Sequence, residues 1–146
     1  MFFSKTAVAT AVLSLLQLSA AAPAAEKKAE AKAQSGGEMS IKDSGSFTWY
    51  NPSVGYGACG WMNSDNDLVA ALNNEQFDPQ TPNGNPNRNP LCGRRIRVWS
   101  NGRSVDVTLV DRCPQCNWGD LDLSPAAFRA LGDQNVGRLW GDWQWI

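Results

Sequence analysis

No histidine occurs anywhere in the 146 residues, and no lysine follows Lys42. The first absence excludes Ser-His and Cys-His catalysis, imidazole metal sites and a His-based switch near neutral pH, so any acid–base chemistry must rest on carboxylates. The second leaves the segment from Ser46 onward with eight basic residues, all Arg, against ten acids. At a net charge of −1 there is no dense basic patch to neutralise phosphates, which argues against nucleic acid or an anionic membrane surface as partner. No apolar run reaches the ~20 residues that cross a bilayer. Repeats of fixed period and calcium-loop spacing are also missing, and Asn51-Pro52-Ser53 is spoiled for N-glycosylation by its proline. No metal and no cofactor is expected, and the chain is expected to be a monomer.

What is present begins with a leader. Met1 to Lys5 carries one positive charge, an apolar run follows to Leu18, and Ser19 and Ala21 supply small residues for cleavage near Ala21. Residues 1–21 therefore read as a secretory signal peptide, and the protein as extracellular. Residues 22–45 are charged, Ala-rich and poor in aromatics; they cannot bury enough surface to offset their ordering entropy and read as a disordered linker or propeptide. The folded unit is then residues 46–146, short of core for its size, so covalent support is expected. Cys59, Cys92, Cys113 and Cys116 all lie in it. In an oxidising compartment two disulfides are the default. Three connectivities are open; Cys59 with Cys92 and Cys113 with Cys116 is favoured, because the short Cys-Pro-Gln-Cys loop brings its ends together. A four-thiolate zinc site would show two Cys-x-x-Cys pairs rather than one.

Seven Trp, thirteen Gly and eight Pro indicate a loop-rich, mainly β fold. Phe47 to Tyr50 reads as a strand stopped by Asn51-Pro52. Arg94–Trp99 and Ser104–Val110 flank Asn101-Gly102, the pair that supplies positive φ to a two-residue hairpin turn. Leu139 to Ile146 reads as a Trp-rich closing strand. One short helix is announced by Ser124 as cap, Pro125 at its first position and Gly132 at its end. Leu68–Leu72 is expected as a second brief helical turn, and Asp78–Pro90 as a loop.

Two acids carry the chemical interest. Asp122 sits between leucines just before the helix, where partial burial would raise its pKa and make it a proton donor. Asp111 ends an apolar strand beside Arg112, whose charge would hold it ionised. Together they could do glycoside chemistry at the right spacing; equally, Asp122 braces the helix start and Asp111 pairs with an Arg. Among the aromatics, Trp143 and Trp145 share one face of the last strand and should point inward, while Trp118, in a loop, is the expected exposed platform for a sugar ring and Tyr50 the second.

Thr48-Trp49-Tyr50, Gly57-Ala58-Cys59-Gly60, Leu91-Cys92-Gly93, Val110-Asp111-Arg112-Cys113-Pro114-Gln115-Cys116, Leu121 to Phe128, and Gly137-Arg138-Leu139 followed by Trp143 to Ile146 occur in this order. Together they resemble the RlpA-like double-psi β-barrel superfamily, which includes expansins, fungal loosenins, barwin-like proteins and family 45 endoglucanases. The resemblance implies a six-stranded double-psi β-barrel with one or two short helices and an open groove. It places Asp122 at the endoglucanases' general acid, here vestigial, and Asp111 at a second groove acid of expansins. Asn51 stands where the hydrolases carry a catalytic-base Asp, and an amide has no useful basicity, so no ordinary hydrolytic turnover is expected. Cys113 replaces an aromatic common in expansins. The expected function is loosenin-like binding of cell-wall polysaccharide, cellulose or chitin, by Thr48, Tyr50, Asp111, Trp118 and Asp122 without hydrolysis. The alternative is a protein-binding module, an inhibitor of a papain-like cysteine protease or an effector acting on a host protein, with loops such as Asp78–Pro90 making the contact.

Overall fold

The computed structural model describes residues 41–146; the expected signal peptide and most of the expected linker lie outside the described residues. Six strands, β1 (Asp43–Trp49), β2 (Val69–Asn73), β3 (Arg95–Ser100), β4 (Arg103–Cys113), β5 (Leu121–Leu123) and β6 (Leu139–Trp145), close into a barrel in the order β1-β5-β2-β4-β3-β6. The β1–β5 and β2–β4 seams are parallel and the other four antiparallel. Two short helices, α1 (Asn74–Phe77) and α2 (Pro125–Leu131), complete the mainly β fold that the sequence suggests.

Each element answers to its residues. Asn101 and Gly102 take φ of 53° and 72°, so β3 and β4 join through a turn whose positive angles match the strand twist. The Ser124 hydroxyl accepts the Ala127 N–H at 3.3 Å and caps α2. That helix packs on β1, β4 and β5 through fully buried Ala127, Phe128 and Leu131. Inside the barrel Phe47, Leu72, Ile96, Val98, Leu109, Leu121, Leu123 and Trp143 are all completely buried, each worth about 1.5–3 kcal/mol relative to exposure.

Three expectations are corrected. Leu68–Leu72 does not turn helically: from Val69 it is strand β2, hydrogen-bonded between β4 and β5 with all five residues buried. An unbroken apolar run suits a strand covered on both faces, whereas a helix would bury one stripe. The helix comes afterwards, where the Asn73 side chain accepts the Gln76 N–H at 3.0 Å. The second concerns the approach to α2, where Leu121–Leu123 forms a strand of its own, β5, paired between β1 and β2. Third, β1 starts at Asp43 rather than at the expected boundary of Ser46, because Asp43–Gly45 pair with Trp143–Gly141 of β6. Gly45 lies flat on Gly119 there, and a side chain would collide with the Gly119 carbonyl.

Both favoured disulfides are present, Cys59–Cys92 and Cys113–Cys116. The loop from Asp78 to Pro90 is a chain of three 3-10 turns. Buried Asn89 fixes its base by donating to Phe77 O at 2.8 Å and Thr81 Oγ1 at 3.0 Å while accepting the Leu91 N–H at 2.9 Å.

Candidate functional site

Strand alternation sends Leu121 and Leu123 inward and Asp122 outward. In the ladder Asp122 is opposite Thr48 of β1 on one side and Ala71 of β2 on the other, and a register shift at Ala70/Ala71 sets Ala71 opposite Asp111 of β4. Thr48, Asp122, Ala71 and Asp111 thus form one row across four strands. The Thr48 hydroxyl donates to Asp122 Oδ1 at 2.8 Å. Burial raises the Asp122 pKa above the usual carboxylate value; the Thr48 hydrogen bond opposes it, the Asp111 charge adds to it and Arg138 opposes it.

Tyr50 lies against Ala71 and the Cys113–Cys116 disulfide rather than standing free as a platform. The small Ala71 side chain on the outer face gives the ring its seat. The hydroxyl is buried and makes no well-formed hydrogen bond. Burial first, then the charges of Asp111 and Asp122, hold it as a neutral phenol.

Asp111 is a brace. Its Oδ1 accepts the Ala58 N–H at 2.7 Å and the Arg112 N–H at 2.8 Å, tying the 57–60 loop to β4. Gly57 permits this, since a side chain there would press on Val110 O and the Asp111 carboxyl. The expected Asp111–Arg112 ion pair is not formed. The Arg112 guanidinium instead grips Asp78 through Nε–Oδ1 at 2.5 Å and a second bond at 2.6 Å, because neighbouring strand residues point to opposite sides.

The residues missed from sequence sit beside Asp122. Buried Asp120 accepts the Ser46 N–H at 2.7 Å and hydroxyl at 2.9 Å, and Arg138 donates to Ser46 Oγ at 2.6 Å. These groups and Asn117 line a cleft of about 90 Å³ with Asp122 at its wall. Their partners are 74 and 92 residues apart in sequence, so only the barrel's closure joins them. Asn51 is tied elsewhere: its amide donates to Asp65 Oδ2 at 2.9 Å. The Asn51 and Ser53 hydrogen bonds hold the Asp65 carboxyl below the usual range, which weakens it as a base.

The structure brings Thr48, Tyr50, Asp111 and Asp122 together and leaves Trp118 apart. Trp118 is 59% exposed and faces a different cleft. Trp143 is fully buried and Trp145 half-buried, as their shared strand face requires, while Trp140 on the opposite face is 71% exposed. Alternation along β6 was the signal for Trp140. Among the described residues no three His, Cys, Asp or Glu side chains gather as a metal-holding group, and no helix is long and apolar enough to cross a membrane.

A double-psi β-barrel family model described as lytic transglycolase matches residues 42–140. The papain inhibitor of Streptomyces mobaraensis is 38% identical over 109 residues, 72% of each chain. Among solved structures, the Streptomyces papain inhibitor aligns with a TM-score of 0.64 at 33% identity over 73% of this chain and 94% of its own. A mutant Clavibacter michiganensis expansin in complex with cellohexaose aligns with a TM-score of 0.60 at 26% identity, over 73% of this chain and 50% of its own.

Proposed function

The chain belongs to the double-psi β-barrel family whose model is described as lytic transglycolase, and within that family we propose that it is a secreted protein-binding module that inhibits a papain-like cysteine protease. The observation that carries this reading is coverage: the likeness to the papain inhibitor spans 94% of that chain, whereas the expansin is matched over half its length. Two features of the molecule support it. Asn51, at the position where the resemblance places a base in the related hydrolases, is an amide tied to Asp65 outside the carboxyl row, so turnover is not what the groove is built for. The 78–90 loop is exposed at its tip and fixed at its base by Asn89 and the Arg112–Asp78 pair, which lowers the ordering cost of binding a partner. Cleavage after residue 21 and a linker over residues 22–42 belong to the same proposal.

The test is titration of papain with the intact protein. Stoichiometric inhibition is expected, falling at least tenfold when Pro82–Arg88 is replaced by a Gly/Ser loop of equal length. Full papain activity at about a hundredfold molar excess of inhibitor would sink the reading.

A second reading is favoured by one specific observation, the Thr48–Asp122 hydrogen bond in a row with Asp111. It is non-hydrolytic binding of cell-wall polysaccharide at Thr48, Tyr50, Asp111 and Asp122. Pull-down on cellulose and chitin with a reducing-sugar assay on the same tubes separates the two readings. Binding without sugar release, combined with failure to inhibit papain, would select the glycan.

A further inference from the structure

Ser44 to Ser64 contains no charged residue, and Pro79 to Gly93 contains only Arg88. The barrel brings these two stretches together. Cys59–Cys92 joins them covalently. Gly60 and Gly93 have φ of +84° and +83°, and they let the loops close on one another: a methyl on Gly60 would meet the Asn87 side chain at 3.0 Å, and one on Gly93 would meet the Trp61 ring at 3.3 Å. Two loops thus form one uncharged edge.

The first loop is fastened along its length. The Gly57 N–H donates to Trp61 O at 3.0 Å and the Gly60 N–H to Gly57 O at 2.8 Å, while the Ala58 and Cys59 N–H groups donate to Asp111 Oδ1 at 2.7 Å and Val110 O at 3.2 Å. Asp65 holds the start of the loop by accepting from the Asn51 amide and the Ser53 N–H. On this ordered backbone stand Val54 and Tyr56, 86% and 78% exposed, with Trp61 and Met62 about half exposed. The Gly57–Trp61 bond sets the chain before Gly57 beside the chain after Trp61, so Tyr56 and Met62 flank one neck. A monomer gains nothing by holding large apolar side chains in water, and a fixed, projecting cluster of them marks a protein contact.

Composition narrows the partner. A charged surface would be desolvated against an edge with no opposite charge to pair with it. What the neighbouring loop offers instead is a row of exposed amides, Asn83, Asn85 and Asn87, whose donors and acceptors suit a peptide backbone. A projecting apolar edge with an amide rim is the counterpart of a concave, apolar groove that receives extended peptide, as a protease's substrate cleft does. Because the 57–61 turn is held wound by its own bonds, it cannot lie extended for cleavage without local unfolding.

We infer that the inhibitory surface is a two-loop wedge, in which Tyr56, Trp61 and Met62 enter the substrate cleft of the papain-like protease with the 78–90 loop at their side. The wedge rests on the inhibitor reading and deepens it, supplying the apolar anchors that the 78–90 loop, with no large apolar side chain of its own, lacks.

The experiment uses the intact protein and measures inhibition of papain together with calorimetric binding to two inactivated forms, one with its active-site thiol capped by a methylthio group and one with the cleft filled by a covalently attached peptidyl chloromethyl ketone. Binding to the first and none to the second is expected. Tyr56→Ala and Met62→Ala should each weaken inhibition at least tenfold, and Tyr56→Arg should weaken it further, with Tm unchanged because the Tyr56 ring stands in solvent. Trp140→Ala, which removes an equally exposed aromatic away from the edge, should leave inhibition within twofold. Inhibition within twofold of the parent in all the Tyr56 and Met62 variants would overturn the wedge, as would undiminished binding to papain with a filled cleft. In both cases the parent protein still inhibits papain; a parent that neither inhibits papain nor binds the methylthio form would instead sink the inhibitor reading itself.

Discussion

The Asp122 cleft and the Trp118 cleft flank one short stretch of chain and are built in opposite ways. The first is borne by strands. Ladder register sets Thr48, Asp122 and Asp111 in a row, and the cleft lined by Thr48 and Asp122 holds only about 90 Å³. The second stands on a turn and a 3-10 segment and opens about 400 Å³ between two indoles. In this barrel the titratable groups and the room for a ligand are largely in different places. Asp111 and Asp120 accept hydrogen bonds from backbone N–H groups and so act as fasteners.

Removing disulfides one at a time sharpens the contrast most. Cys59–Cys92 closes a span of 33 residues and holds the loop that Asp111 braces. Replacing both cysteines by Ala should cost about 4 kcal/mol in urea unfolding, against about 2 kcal/mol for Cys113–Cys116, whose loop is far shorter. A reversed order would mean that the contacts of the short disulfide with Ala71 and Tyr50 outweigh chain entropy. Next in size is Gly119→Ala, which strikes the hinge that both clefts share. The residue has φ of +85°, and a methyl would collide with Ser44 O; strain and overpacking together should cost about 3 kcal/mol. Gly84→Ala is the comparator, with φ of +70° but open space around it, and should lose only about 1–2 kcal/mol. Equal losses would show that the Gly45–Gly119 contact is not tight.

The same contrast explains how much could be seen in the sequence. The Asn101-Gly102 hairpin and the Ser124-Pro125 helix start are local devices, and each reads directly from neighbouring residues. Strand β5 is three residues long, too short for a period, and Val69–Asn73 is apolar without alternation because it is covered on both sides. Both become strands only when partners from across the barrel arrive. At the site, Asp122 was legible because leucines flank it and fix its outward face. Ser46, Asp120 and Arg138 were not, since their bonds join chain segments brought together by closure. Tyr50 misled for a similar reason: nothing near it in sequence says that Ala71 and a disulfide lie beneath its ring.

The smallest effect tests whether the Asp122 cleft is as closed as its volume indicates. Burial raises the Asp122 pKa above its unfolded value near 3.9, so the native state holds the proton more firmly than the unfolded chain. Below that unfolded value the carboxyl is neutral in both states and costs nothing; as pH climbs through the raised folded pKa, the native state must carry a partly buried charge and stability falls. Asp122→Asn keeps an acceptor for the Thr48 hydroxyl and removes the charge. Its Tm should match the parent near pH 3.5 and exceed it by a margin that widens up to neutral pH. Asp106 gives the opposite sign on the same barrel. Hydrogen bonds from Arg97 at 2.6 and 2.8 Å hold its pKa down, so its contribution is present above the unfolded value and lost as pH falls through the folded one. Asp106→Asn should therefore lower Tm slightly at neutral pH and by less on acidification. If the Asp122→Asn margin were flat from pH 3.5 to 7, water would be reaching that carboxylate as freely as it reaches Asp106, and the distinction between a closed acid cleft and an open aromatic one would fail.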